Sequence, residues 1–179
     1  MVTAGNVLTF WFEELTPEQW FKTFPAVDAI IHRRFGETHA RAVRAELFEW
    51  RDSPEGRLAE IIVLDQFSRN LFREDGRAFA ADSMSLALAQ EAIRTGADQQ
   101  LKGPQIAFLL MPFMHSESLA IHDIAGKLFS RPGLERNLES QIQHRAVLER
   151  FGRYPHRNAA LGRPSTAEEQ AFLEDGRGF

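Results

Sequence analysis

Residues able to do chemistry fall in three short stretches of the chain. The richest is Arg150-Phe-Gly-Arg-Tyr-Pro-His-Arg-Asn158, which places Arg150, Arg153, His156 and Arg157 within nine residues. Arginine presents a planar fork of donors matched to carboxylate or phosphate, and it does not deprotonate to escape burial. Gly152 ends one helical pattern and Pro155 stops it from resuming, so the backbone bends here and can aim several donors at one place. After the proline, the backbone N–H groups of His156, Arg157 and Asn158 can join a small anion cradle. The competing structural reading pairs these arginines with Glu149, Asp65 or other acids and fastens the C-terminus.

The second stretch is Asp65-Gln-Phe-Ser-Arg-Asn70, extended by Arg73. Read as one helix over 58–73, it sets Leu58, Ile61, Ile62, Asp65 and Arg69 on one stripe. Asp65 therefore continues an apolar face and needs a partner, because an unpaired buried carboxylate costs several kcal/mol. Arg69, four residues on, is in reach. A structural ion pair satisfies the same pattern. Gln66, Asn70 and Arg73 enlarge the polar group.

In the third stretch, Met111-Pro-Phe-Met-His-Ser-Glu117, apolar residues give way to His115 and Glu117 at an expected helix start. Imidazole beside carboxylate is a general acid/base pair, since the carboxylate fixes the tautomer. Simple capping by Ser116 and Glu117 is the plainer alternative. The six histidines do not read as a metal site: no HExxH occurs, and His115 and His122 stand seven apart. His32 and His39 sit among ordinary helix charges and are expected at the surface or its boundary. His144, in register with Val147, Leu148 and Phe151, is expected as a hydrogen-bonded core residue.

The elements that must position these residues read as helical almost throughout. Proline and capping signals open helices near Thr16-Pro17, Phe24-Pro25, Ser53-Pro54, Asp82 or Ser83, Gly103-Pro104, Ser116, Leu134 and Thr166. Gly36 and Pro112 are expected to bend or interrupt theirs, and the Gly-Arg-Gly end to fray. One all-α domain spanning 1–179, of about eight or nine helices in antiparallel pairs, follows from the short turns. The chain has 179 residues, 44% of them hydrophobic and 26% charged, which suffices for one packed core. It has no cysteine, which removes disulfides, thiolate metal sites and cysteine nucleophiles. The N-terminus lacks a basic leader, and no apolar run nears the ~20 residues that cross a bilayer, so a cytoplasmic, membrane-free protein is expected. The net charge of −4 argues against a chain that coats nucleic acid.

The three stretches together resemble an uncharacterised, mostly bacterial family, the domain-of-unknown-function family numbered nine hundred and twenty-four. Val7-Leu-Thr-Phe-Trp-Phe12 and Leu161-Gly-Arg-Pro-Ser-Thr166 extend the resemblance over nearly the whole chain. It implies an all-helical, tetratricopeptide-repeat-like fold and no established reaction. Ser68 and His122 depart from the family pattern, which more often has proline and glutamine there; His122 is left outside the site for that reason.

The leading functional expectation is a pocket for a small phosphate- or carboxylate-bearing anion, of the kind an enzyme site would also need. Arg69, Arg150, Arg153 and Arg157 are its charge partners, His115 or His156 its acid/base, and Asp65 and Glu117 their orienting groups. Gln66, Asn70, Arg73 and Asn158 complete the binding set. Second comes a helical-repeat module binding a protein or peptide partner, suggested by the fold resemblance and by Trp11, Trp20 and Trp50. Third comes RNA or single-stranded nucleic acid, suggested by Phe151 and Tyr154 among the arginines and disfavoured by the acidic chain. No motif specifies a reaction, a cofactor or an oligomeric state.

Overall fold

The computed structural model describes residues 1–176. Of the Gly-Arg-Gly end, Arg177 and Gly178 lie outside the described residues. The protein is all-α, 73% helical, with no strand among the described residues. Helix α1 (Ala4–Thr9) runs on into a π-helical turn, Phe10–Glu14, and is followed by α2 (Pro17–Phe21) and α3 (Pro25–Val43). Helix α4 (Pro54–Ile62) continues through a second π-helical turn, Val63–Phe67, into α5 (Ser68–Leu71). Then come α6 (Asp82–Arg94), α7 (Pro104–His115), α8 (Leu119–Phe129), α9 (Glu135–Phe151) and, after a 3-10 turn at Pro155–Arg157, α10 (Ala167–Glu174).

Helix α4 is the centre of the molecule. Leu58, Ala59, Glu60, Ile61, Ile62, Val63 and Leu64 are all fully buried, so the segment is enclosed on every side and is not the one-sided stripe expected from its spacing. Helices α1, α6 and α7 pack around α4, α3 packs on α5 and the π turn, and α7, α8 and α9 follow in series. Enclosure of Glu60 is tolerated because Arg51 clasps it with two bonds of 2.7 Å. An aromatic layer of Phe10, Trp11, Phe35 and Phe67 closes the core under α1, with ring centroids 5.0–6.1 Å apart.

Several local signals act as expected. Thr166 caps α10 reciprocally: its Oγ1 accepts from the Glu169 N–H at 3.2 Å, while Glu169 accepts from the Thr166 N–H at 2.8 Å. Others are overridden by packing. Helix α3 passes straight through Gly36, and α7 passes through Pro112. The proline removes one internal hydrogen bond, but α7 is buried from Ala107 to Met114, and that burial holds the helix together. Ser118, not Ser116, precedes α8. His115 is thus the last residue of α7, not the start of a helix, and Glu117 lies in the turn beyond.

Candidate functional site

Asp65 and Gln66 sit in the π turn that follows α4. The wider turn carries both side chains into the space between α5, α6 and α7, where Asp65 is 1% exposed. Its Oδ1 receives the His115 Nδ1 at 2.7 Å and lies 3.2 Å from Arg69 Nη1, while Gln66 Nε2 donates to Oδ2. Burial opposes a charge here, but Arg69 and His115 overcome it and hold the carboxyl well below the usual carboxylate range. A carboxylate only accepts, so His115 carries a proton on Nδ1, and the tautomer this selects places the lone pair of the ring on Nε2. Among the described residues, Nε2 has no hydrogen-bond partner.

A second carboxylate joins the group. Asp82 was expected as a helix cap, yet it makes no cap bond; its two oxygens instead receive Arg69 at 3.0 and 3.1 Å, and one of them also receives Arg157 at 3.0 Å. Arg157 Nη2 donates to the carbonyl of His115 at 2.8 Å, which fixes this guanidinium against the end of α7. Its flat faces lie over Phe79 and Tyr154, at 4.5 and 4.8 Å from the ring centroids. Burial pushes the Arg157 pKa down against the pull of Asp82. Its Nε is buried without a partner among the described residues.

Gln66, Arg69, His115 and Arg157 of this cluster border a cavity of about 630 Å³. Its polar lining includes Gln66, Arg69, Asn70, Arg73, His115, His144, His156 and Arg157, and its apolar walls Trp20, Phe21, Phe79, Met111, Met114 and Tyr154. Residues from all three sequence stretches therefore meet at one space. Arg69, Arg73 and Arg157 line it, as do Lys22 and Glu74, whereas the carboxylate partners of the three arginines, Asp65, Asp82 and Asp28, do not. Asn70 and Arg73 are both held by Asp28 of α3, Asn70 at 2.7 Å. His144 and His156 are held neutral at neutral pH: burial pushes His144 down to about 3 and His156 down to about 4, the latter with added repulsion from Arg157 and Arg69. Among the described residues no group of three or more His, Cys, Asp or Glu side chains could hold a metal ion.

The remaining expected residues lie elsewhere. Glu117 does not orient a histidine; it accepts from Arg163 at 2.8 and 2.9 Å and from the Tyr154 N–H at 2.7 Å. Arg153 grips Glu169 at 2.7 and 2.8 Å, Asn158 donates to Ser165 at 3.0 Å and accepts from Arg163 at 3.0 Å, and Arg150 pairs with Glu168 at the surface. Together they clamp the C-terminal segment to the α9 turn. His144 bonds the Ser140 carbonyl at 2.8 Å as expected of a core histidine, but it also borders the cavity. His39, expected near the surface, is buried and bonds Ser68 at 2.7 Å. His122 is buried against Tyr154 and the Ser116 carbonyl, outside the cavity. Sequence reasoning missed Asp82, Phe79 and the α2 wall. Asp82 already had a sufficient local explanation as a cap, and Trp20 and Phe21 read as core.

Comparison with known proteins bears on the whole chain. The structure is similar to that of a protein of unknown function, ATU0120 from Agrobacterium tumefaciens, with a TM-score of 0.91 at 39% identity over 97% of each chain. No curated protein matches. The family described as bacterial protein of unknown function (DUF924) matches residues 7–177, and the chain belongs to that family.

Proposed function

We propose that the cavity binds a small organic anion, bearing a carboxylate or phosphate, and that Arg157 is its principal anchor. One observation carries this reading. Arginine has five N–H donors; Arg157 uses one from Nη1 on Asp82 and one from Nη2 on the His115 carbonyl, which leaves N–H groups unused on a cation that borders the cavity. The cavity volume falls in the range of small-molecule sites, and its mix of aromatic walls with a few converging polar groups fits the same class. His115, oriented by Asp65, supplies a proton acceptor beside the anchor.

The other readings lack an observation of their own. Trp11 is core, Trp20 and Trp50 pack against the core, and of the three only Trp20 borders the cavity, so the tryptophans do not mark out a separate groove. Each arginine of the basic turn already has a carboxylate partner, which quenches the positive field nucleic acid would need. No helix among the described residues is long and apolar enough to cross a membrane.

Thermal unfolding with a panel of carboxylates and phosphate esters tests the proposal. A ligand at a hundred times its Kd stabilises the fold by ~2.7 kcal/mol, a rise of roughly 5–10 °C. Arg157→Lys, which keeps the charge and loses the fork, should abolish that rise. A flat panel would refute anion binding.

A further inference from the structure

The constellation around His115 contains more than a binding site needs. We propose that the cavity is the active site of a hydrolase, cleaving a small carboxylic ester by water attack, with His115 as general base and Arg157 as oxyanion donor. The proposal rests on the reading of the cavity as a small-molecule site.

Three observations lead there. First, the 2.7 Å contact from Asp65 to His115 Nδ1 fixes ring and tautomer and leaves the Nε2 lone pair on a residue bordering the cavity. Second, Arg157 Nη2 donates to the backbone carbonyl of His115 at 2.8 Å, which ties a cation with unused N–H groups to the residue that carries the base, and both residues border the cavity. A base and an oxyanion donor held by the same residue are what addition to a carbonyl requires. Third, two of the three residues with a hydroxyl that border the cavity have it engaged: Tyr154 donates to the Met114 carbonyl at 2.7 Å and Ser140 to the Arg136 carbonyl at 3.2 Å, while Thr23 is exposed to solvent. The chain has no cysteine. With those two hydroxyls committed and no thiol in the chain, the base acts on water.

The step balances without a co-reactant. As the water oxygen bonds to the carbonyl carbon, His115 Nε2 takes one of its protons, and the charge developing on the carbonyl oxygen meets the Arg157 N–H groups. Collapse breaks the bond from the carbon to the alcohol oxygen. That oxygen leaves with the proton returned from Nε2, giving a carboxylic acid and an alcohol. Asp65 stays ionised throughout and is a positioning residue. The substrate class is a small ester whose flat apolar part rests on Trp20, Phe21, Met111 and Met114.

The test uses 4-nitrophenyl acetate and 4-nitrophenyl hemisuccinate, with 4-nitrobenzoate as an unreactive anion. Expected are repeated turnovers by the full chain and a loss of ~100-fold or more in kcat/KM in His115→Asn. Asp65→Asn should lower kcat with KM nearly unchanged, since Asp65 does not border the cavity. His115→Gln, checked for fold by circular dichroism, substitutes if His115→Asn does not fold. Equal rates in wild type and a folded His115 variant would overturn the proposal, as would failure of wild type to cleave either ester. If 4-nitrobenzoate still raises the unfolding temperature in that event, hydrolysis falls and anion binding stands; if it does not, both fall.

Discussion

Two clusters in this protein draw on the same residue types and end differently. In the C-terminal clamp, Glu117, Arg153, Asn158, Arg163 and Glu169 close on one another, and the two carboxylates of Glu117 and Glu169 take both of their guanidiniums in two-pronged contacts. In the cavity cluster, Asp65, Arg69, Asp82, His115 and Arg157 are just as interlocked, yet His115 Nε2 and Arg157 Nε are left over. The lesson is that paired charge alone does not separate a brace from a site. Donors and acceptors left over on residues that border a space do.

The largest effect should come from Asp82→Ala. It strips one shared acceptor from two guanidiniums buried beneath α6, and breaking such buried pairs costs about 3–5 kcal/mol. Urea unfolding measures it. A loss under 1 kcal/mol would mean that Asp82 is no hub.

Smaller is the pH response of the histidines by the cavity. His144 and His156 are lowered by burial to about 3 and about 4, against an ordinary value near 6.5. Between those values the unfolded chain binds more protons, so stability is full above pH ~6.5 and falls as pH drops through the window. From pH 7 to pH 5 each contributes a loss of roughly 1–2 kcal/mol. His144→Asn should flatten the slope of unfolding free energy against pH; an unchanged slope would show that His144 does not titrate on unfolding.

Of comparable size, Arg163→Ala should cost about 1–3 kcal/mol, since it removes charge-assisted bonds from half-buried Glu117, and it should leave any ligand response intact. Arg150→Ala, which breaks an exposed pair with Glu168, should change stability by no more than about 0.5 kcal/mol. Chemical denaturation of the two variants checks both figures. A lost ligand response in Arg163→Ala would merge the clamp with the site and erase the contrast.

The fold was legible because its signals are local. Helix starts at Thr16-Pro17, Pro25, Pro54, Pro104 and Thr166 follow from caps and prolines, and the lack of alternating strands follows from spacing. Gly36 and Pro112 misled because burial outweighs a single weak helix position. The site was legible as three polar interruptions, and Gln66, Arg69, Asn70, Arg73, His115, His156 and Arg157 do border one cavity. What spacing could not supply is the partner. Arg150 and Arg157 look alike in sequence, but one faces Glu168 in solvent and the other is held between Phe79 and Tyr154. That difference arises from contacts across 75 residues, from Arg157 to Asp82, which no window of sequence contains.

The most direct measurement compares two lysine variants side by side. Whichever carboxylate or phosphate ester most raises the wild-type unfolding temperature would be titrated against Arg157→Lys and Arg163→Lys. The account predicts that the rise vanishes in Arg157→Lys and persists in Arg163→Lys. Equal responses in the two variants, or no rise in the wild type with any anion, would contradict it.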